Sequence, residues 1–193
     1  MRKRTPATIV AVAAVTVSAG LAAQTAAAAP NLCVAANDAV RVQKGTADCD
    51  ADGTGSVAIA KGDGSNAIAT GGNRNRAMAL GEGSVAVAES GDGNTATATG
   101  DNSEAIVLDG DGNTAAATGD GSEAIVLDGD GNTAAATGDN STAIVIDGAG
   151  NTATATGDGS TAIVIEGDGN TATANTDGCD VTAIGGSNLT VVC

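Results

Sequence analysis

Small apolar and polar residues alternate along most of this chain, and the alternation itself recurs every 19 residues. An Asn-Thr pair marks one half of the repeat and a serine marks the other. The pairs begin at Asn94, Asn113, Asn132, Asn151 and Asn170, and the serines are Ser103, Ser122, Ser141 and Ser160. Weaker copies reach back through Ser84, Asn75 and Ser65 to Ser56, which gives 13 half-repeats of 9 or 10 residues. Such fixed spacing is typical of a repeat architecture.

Each half-repeat consists of an alternating segment of six residues followed by a turn rich in Gly and Asp. Alternation with a period of two predicts a β-strand, and Gly and Asp supply the backbone conformations that tight turns need. Strands that recur at a fixed spacing can stack, with their backbone groups hydrogen-bonded along the stacking axis. The sequence therefore predicts an all-β fold, namely a two-sheet parallel β-solenoid (β-roll) with 19-residue coils.

The two alternating sets of positions differ in chemistry, and the difference indicates which set faces inward. One set reads Asn-x-Ala-x-Ala or Ser-x-Ala-x-Val with little variation, and it predicts Asn and Ser hydrogen-bond ladders at the coil edges. The other set includes Lys61, Arg76, Glu89, Glu104 and Glu123. Charged side chains must reach water, so we expect the uniform set to fill the interior.

The composition supports a thin interior and argues against catalysis. The 193 residues include no Phe, Tyr, Trp or His, so a core of large side chains is excluded. The available carboxylates lie on exposed Gly-rich turns, where we expect neither burial nor a cleft to shift their pKa. We therefore expect no enzyme activity and no cofactor.

The first 28 residues have the pattern of an export signal. Arg2, Lys3 and Arg4 precede an apolar stretch, and Ala26 and Ala28 satisfy the small-x-small rule for cleavage after Ala28. We expect residues 1–28 to form a signal peptide, 29–54 an N-terminal cap, 55–177 the solenoid repeats and 178–193 a C-terminal cap. The protein is then secreted, either extracellular or held in the cell envelope, with no membrane insertion after cleavage.

Four cysteines lie outside the regular repeats, where a solenoid needs its ends closed. Cys33 and Cys49 precede the first coil, and Cys179 and Cys193 follow the last regular one. A rod holds its two ends far beyond bonding distance, so we expect the local pairs Cys33–Cys49 and Cys179–Cys193. Export supplies the oxidising compartment that disulfides require.

The charge of the chain limits its partners. Once residues 1–28 are removed, five basic residues stand against 23 acidic ones, a net charge of −18. Polyanions repel such a surface. We therefore expect no nucleic acid partner and no binding to anionic membranes.

The segments GSVAIA at 55–60 and GSVAVA at 83–88 resemble the β-roll repeats of trimeric autotransporter adhesin heads. In that family the Ser and Ala of the motif point into the roll, and the Val and Ile point toward neighbouring subunits. The resemblance implies that Val57, Ile59, Val85 and Val87 face outward at an interface. The half-repeat here is longer than is usual in the family, and we find no coiled-coil stalk or C-terminal anchor, so we do not expect an autotransporter.

Two further resemblances concern the context of the repeats. The export signal and capped ends are similar to those of small secreted actinobacterial proteins of unassigned activity. The repeated G-x-G-N-T-A-T-A-T units also look like those of plant ice-recrystallisation inhibitors, a resemblance that implies an interaction with ice.

One outer surface carries large aliphatic residues in two rows, which we call the Ile face. Its members are Ile106, Leu108, Ile125, Leu127, Ile144, Ile146, Ile163 and Ile165. We expect an exposed apolar patch of this kind to be buried by a partner, and the simplest arrangement is a homo-oligomer, either a dimer or a trimer. The alternative is that these side chains fill the interior. The leading interpretation is an adhesin-like structural or surface-interaction rod, with a cell-envelope or host surface component as a further partner.

The opposite outer surface carries threonines in rows, which we call the Thr face. Its members are Thr95, Thr99, Thr114, Thr118, Thr133, Thr137, Thr152, Thr156 and Thr171. A regular array of hydroxyl and methyl groups can order water, which makes an ice-binding protein the alternative function. The competing explanation is that Thr is a soluble strand residue that repeat duplication copies into rows.

Aspartates recur in the turns on both edges. They are Asp101, Asp120, Asp139 and Asp158 on one edge, and Asp111, Asp130 and Asp168 on the other. Stacked like charges repel, and divalent cations can bridge them. Ala149 interrupts the second column, so we favour solvated turns that keep the rod soluble, with no metal site.

Overall fold

A computed structural model describes residues 31–193 as 18 β-strands without a helix. The predicted signal peptide, residues 1–28, lies outside these described residues. The strands are β1 Leu32–Ala36, β2 Val40–Lys44, β3 Asp48–Ala51, β4 Val57–Lys61, β5 Asn66–Thr70, β6 Arg76–Ala79, β7 Val85–Glu89, β8 Thr95–Ala98, β9 Glu104–Val107, β10 Thr114–Ala117, β11 Glu123–Val126, β12 Thr133–Ala136, β13 Thr142–Ile146, β14 Thr152–Ala155, β15 Thr161–Ile165, β16 Thr171–Ala174, β17 Asp180–Ile184 and β18 Thr190–Val192.

Successive strands alternate between two sheets, which is the connectivity of a β-solenoid. The ten-stranded Thr sheet has the order β18-β16-β14-β12-β10-β8-β6-β4-β1-β2, and the eight-stranded Ile sheet has the order β17-β15-β13-β11-β9-β7-β5-β3. From β3 onward, each strand pairs in parallel with the strand one coil away, so that Thr114 lies beside Thr133 and Ile125 beside Ile144. The predicted two-sheet parallel β-solenoid with 19-residue coils is therefore confirmed.

The strands are shorter than the six residues that the alternation predicts. They span three to five residues. The hydrogen-bond ladder nevertheless continues past the strand ends, because Thr95 N–H donates to the Asn113 carbonyl and Thr99 N–H to the Ala117 carbonyl. The backbone groups at the corners are thus paired along the axis, although the chain there is already turning.

The interior contains only small side chains. Every Ala at the two inward positions of the repeats is buried, as are Val107, Val126, Val145 and Val164, the largest side chains of the core. The Ser and Asn that begin each inward set are equally buried. The predicted assignment of inside and outside is confirmed, and the alternative that places Ile and Leu in the interior is wrong.

Asn side chains join each coil to the next on the Thr-sheet side. Asn132 Oδ1 accepts the Asn151 backbone N–H at 2.8 Å, and Asn132 Nδ2 donates to the Asp128 and Gly148 carbonyls at 3.0 and 2.8 Å. The same pattern starts at Asn75 and ends where Asn170 Oδ1 accepts the Leu189 N–H. The predicted Asn ladder is confirmed, and no buried side-chain nitrogen or oxygen in residues 31–193 lacks a partner.

The Ser side chains act differently from the prediction. Ser122 Oγ donates to the carbonyl of Gly119, three residues earlier in the same turn, at 2.6 Å. Ser103, Ser141 and Ser160 do the same. In these Ile-sheet corners Ser therefore closes its own turn and forms no ladder. Ser56, which stands at an Asn position of the Thr sheet, does reach the next coil, where it accepts the Asn75 N–H and donates to the Gly72 carbonyl.

The turns stack so closely that some positions have no room for a side chain. Gly129 has φ +88°, and a Cβ there would lie 1.9 Å from the carbonyl oxygen of Gly148 in the next coil. That carbonyl is one that the Asn132 side chain binds. Gly at this position is therefore required both for the backbone conformation and for the approach of the Asn ladder.

The ends are closed by the predicted disulfides, Cys33–Cys49 and Cys179–Cys193. At the N-terminal end, β1 pairs antiparallel with both β2 and β4. At the C-terminal end, β17 and β18 pair in parallel with β15 and β16. The last residues therefore extend the stack, and the two sheets share eight coils.

Two carboxyl groups at the N-terminal end influence each other. A backbone hydrogen bond from Gly53 and a hydrogen bond with Asp52 lower the pKa of Asp38. The hydrogen bond with Asp38 and its negative charge raise the pKa of Asp52. The two shifts have opposite directions, so the pKa of Asp52 lies above that of Asp38, next to the turn that leads into the first regular coil.

The Asn ladder predicts a difference between two substitutions in the same core. Asn132→Ala leaves the Asn151 N–H and the Gly148 carbonyl without their side-chain partner, so we expect a loss of about 3 kcal/mol in the free energy of unfolding. Ser122→Ala removes one local bond, and the Gly119 carbonyl keeps the Ser122 N–H, so we expect a loss of about 1 kcal/mol or less. Urea unfolding measures both, and equal losses would contradict the bridging role of Asn.

Candidate interaction surfaces

The Ile face lies on the outside of the Ile sheet, as predicted. Its eight side chains occupy the outward positions of β9, β11, β13 and β15 and the residues that follow β9 and β11. Their neighbours in each strand are the buried Ala and Val of the core, because successive side chains of a strand point to opposite sides. Seven of the eight are half-buried by the adjacent coils, and Leu108 is exposed.

The Ile face is bordered on one side by polar residues that change along the rod. Glu104 and Glu123 hold this border position in β9 and β11, and Thr142 and Thr161 hold it in β13 and β15. The aliphatic positions continue beyond the four strands through Val87 and Ile184, and the Ile184 side chain is 67% exposed. The result is an apolar stripe with a polar margin on one side.

The Thr face lies on the outside of the Thr sheet, also as predicted. Thr95, Thr114, Thr133, Thr152 and Thr171 pair in one continuous row. Rows recur about 7 Å apart along a strand and members of a row about 4.8 Å apart along the rod. The middle row mixes Thr with Ala116 and Ala135. At the N-terminal end, Arg76 and Met78 replace Thr, so the array is confined to β8 and later strands.

Most hydroxyls of the Thr face are free to meet solvent. Thr156 Oγ1 lies 3.4 Å from the Ala174 carbonyl and 3.3 Å from Asn175 Oδ1. For the other Thr-face hydroxyls, the part of the chain that the structure describes supplies no hydrogen-bond partner. The array can therefore bind ordered water or a hydroxylated surface.

The turn aspartates have a role that the sequence reasoning missed. Asp120 Oδ1 accepts the Asp101 backbone N–H at 3.0 Å, and Asp139 Oδ1 accepts the Asp120 N–H at 3.0 Å. On the other edge, Asp130 accepts the Asp111 N–H at 2.9 Å. Each carboxylate thus ties its turn to the preceding coil.

The same geometry explains the interruption at Ala149. Asp168 Oδ1 accepts the Ala149 N–H at 3.1 Å, but Ala149 has no carboxylate to offer the turn before it. Among residues 31–193, no three His, Cys, Asp or Glu side chains are grouped so that they could hold a metal ion. The regular spacing of Asp was the available signal for these turn ties, and it does not distinguish a backbone acceptor from a solvated acid.

The basic residues are collected at one end of the rod, a feature that the sequence reasoning did not use. All five that follow residue 28 lie between residues 41 and 76, namely Arg41, Lys44, Lys61, Arg74 and Arg76. A shallow depression there is lined by Arg74, Arg76 and Val57, and both arginines are exposed. The rest of the rod, beyond Arg76, carries acids and no base.

No protein-family model, curated protein or solved structure matches this chain. Within residues 31–193, no helix is long and apolar enough to cross a membrane. The fold and the two surfaces define the class of protein: a disulfide-closed, two-sheet parallel β-solenoid with one aliphatic and one Thr-rich outer face.

Proposed function

We propose that this chain is a secreted, non-catalytic structural or surface-interaction rod, adhesin-like in its organisation, that self-associates through the Ile face. The observation that carries the proposal is the continuous stripe of outward Ile and Leu over four adjacent strands. At ordinary strand dimensions these strands cover about 300 Å², which is already within the range of the largest apolar patch on a typical monomer. A second copy is the partner that offers a matching surface.

Export and disulfides support a location outside the cytoplasm. The expected signal peptide at 1–28 and the two disulfides both favour an oxidising compartment. We place the rod in the extracellular space or at the cell envelope, where a cell-envelope or host surface component is a further candidate partner. The net charge of −18 disfavours nucleic acid.

The resemblance to adhesin-head repeats agrees with an outward interface. The residues that the resemblance places at subunit contacts, Val57, Ile59, Val85 and Val87, all occupy outward positions. Val57 and Ile59 belong to the Thr sheet, however, and Val85 and Val87 to the Ile sheet. We base the self-association on the Ile sheet, since its aliphatic rows continue through the later coils.

The proposal predicts that charges on the Ile face separate the copies. Ile125→Asp combined with Ile144→Asp places two carboxylates at the centre of the stripe, where association would bury them, so we expect at least about a 100-fold weaker self-association. Molar mass by light scattering or sedimentation measures the change in the secreted form, residues 29–193. Circular dichroism establishes that the variant is folded.

The matched control carries the same two charges on the other sheet. Ala116→Asp with Ala135→Asp occupies the middle row of the Thr face at the same one-coil spacing, and we expect the wild-type molar mass. A wild-type protein that stays monomeric at high concentration, or a double Ile variant of unchanged mass, overturns the self-association.

The register of the Thr rows favours ice binding as the second candidate function. Six strands hold Thr at the same position with parallel, unshifted pairing, because Thr190 of β18 continues the row beyond Thr171. This pairing gives a periodic array of hydroxyl and methyl groups on a scaffold whose interior is fixed by hydrogen bonds.

Ice binding predicts a loss of activity when bulky rings break the array. We expect wild-type protein to inhibit ice recrystallisation, and Thr114→Tyr with Thr133→Tyr to reduce the inhibition at least tenfold because the rings hold ice off the surface. Thr142→Tyr with Thr161→Tyr, on the Ile sheet, serves as the control and keeps the activity. A wild-type protein without recrystallisation inhibition or thermal hysteresis rules this candidate out.

A further inference from the structure

The Ile sheet has three outward rows of side chains that run along the rod, and the border row changes in chemistry whereas the other two do not. The middle row is aliphatic throughout, with Ile106, Ile125, Ile144 and Ile163, and so is the row that begins with Leu108. The border row changes halfway, from Glu104 and Glu123 to Thr142 and Thr161. The change falls between β11 and β13, which is also the midpoint of the Ile face.

A two-fold axis that runs along the rod brings rows of unlike chemistry into contact. Such an axis keeps the two copies parallel and places the border row of one copy opposite the Leu-containing row of the other, at equal height. Glu104 then faces Leu108 of the second copy, and Glu123 faces Leu127. Four carboxylates lose water against aliphatic side chains, which is strongly unfavourable without a paired charge or donor.

A two-fold axis perpendicular to the rod, placed between β11 and β13, matches all three rows. The copies are then antiparallel, and each row faces the same row of the second copy in reverse order. Glu104 meets Thr161 of the second copy and Glu123 meets its Thr142, so each carboxylate faces a hydroxyl that can donate to it. Ile meets Ile in the middle row, and Leu meets Ile in the third row.

We infer that the Ile face forms an antiparallel two-fold dimer centred between β11 and β13. This inference rests on the proposed self-association and adds to it the number of copies, their direction and the position of the axis. β7 then lies opposite β17 of the second copy at the rim of the contact, where Glu89 faces Ile184 and Asp180 faces Val85, so these carboxylates must keep their water and the dry part of the contact is limited to the four strands of the Ile face.

The distribution of charge along the rod favours the same direction. The five basic residues lie between residues 41 and 76, whereas 18 of the 23 acids follow Arg76. In the antiparallel dimer β7 lies opposite β17, so the base-containing coils of each copy extend just past the acid-only end of the other. A parallel arrangement instead places acid-only coils beside acid-only coils at every height beyond Arg76, and the acids repel along that length.

The size of the interface indicates a weak dimer. Overlap from β7 to β17 involves six strands of the Ile sheet in each copy, which corresponds to about 500 Å² per copy and about 1,000 Å² in total at ordinary strand dimensions. Interfaces of this size belong to weak or transient complexes. Added salt screens the repulsion between two copies of charge −18, so we expect tighter association at higher ionic strength.

Distances between spin labels distinguish the two directions. A nitroxide is attached to a cysteine introduced at Asp128 after β11, at Asp109 after β9, or at Thr70, the last residue of β5, and these sites lie at increasing distance from the proposed axis. At about 4.8 Å per coil, an antiparallel dimer separates the paired labels along the rod by about 5, 14 and 34 Å. We expect the measured distances to increase in this order, and the Ile125→Asp with Ile144→Asp variant to lose the dipolar coupling.

The outcomes of this experiment distinguish a failure of the antiparallel dimer from a failure of the proposed self-association through the Ile face. One common distance for all three labels means that the copies are parallel, which overturns the antiparallel dimer while self-association stands. A molar mass above that of a dimer overturns the two-fold arrangement in the same way. Monomeric protein without coupling at any label overturns both, and distances that increase from Asp128 to Thr70 support both.

Discussion

The Asn side chain that precedes each Thr-sheet strand from β6 to β16 is the interaction on which the rest of the structure depends. Asn113, for example, accepts the backbone N–H of Asn132 with Oδ1 and donates from Nδ2 to carbonyls of its own turn and of the next coil. This side chain therefore fixes the spacing, the register and the close turn packing that requires Gly. Because the polar groups of the corner satisfy one another without water, the interior can be as thin as Ala and Val allow.

The outer surfaces follow from this thin interior. Ile and Leu have no room between the sheets, so the repeat places them outside, and unshifted parallel pairing copies each one into a row. The same rule builds the Thr rows on the other sheet. The solenoid thus converts a 19-residue sequence pattern into regular rows of side chains on two sheets, aliphatic on one and Thr-rich on the other. This difference is the reason for two separate proposals, self-association through the Ile face and ice binding through the Thr face.

The periodicity of the sequence was sufficient to predict the fold, the inward set and the local disulfides, because a period of two within a period of 19 admits few arrangements. It was insufficient where roles depend on side-chain length or direction. Ser122 reaches only its own turn, whereas Asn132 reaches the next coil. The turn aspartates accept backbone N–H groups that a sequence does not display, as at Asp120. The antiparallel start at β1 lies outside the repeat, so no period indicated it.

Exchange of the Asn side-chain amide hydrogens with solvent, followed by nuclear magnetic resonance, tests the central claim most directly. The account predicts that the Nδ2 hydrogens of Asn113, Asn132 and Asn151 exchange as slowly as the backbone amides of the neighbouring strands, since both their acceptors lie within the corner. Side-chain amides that exchange at the rate of an exposed Asn, while the backbone stays protected, would contradict it.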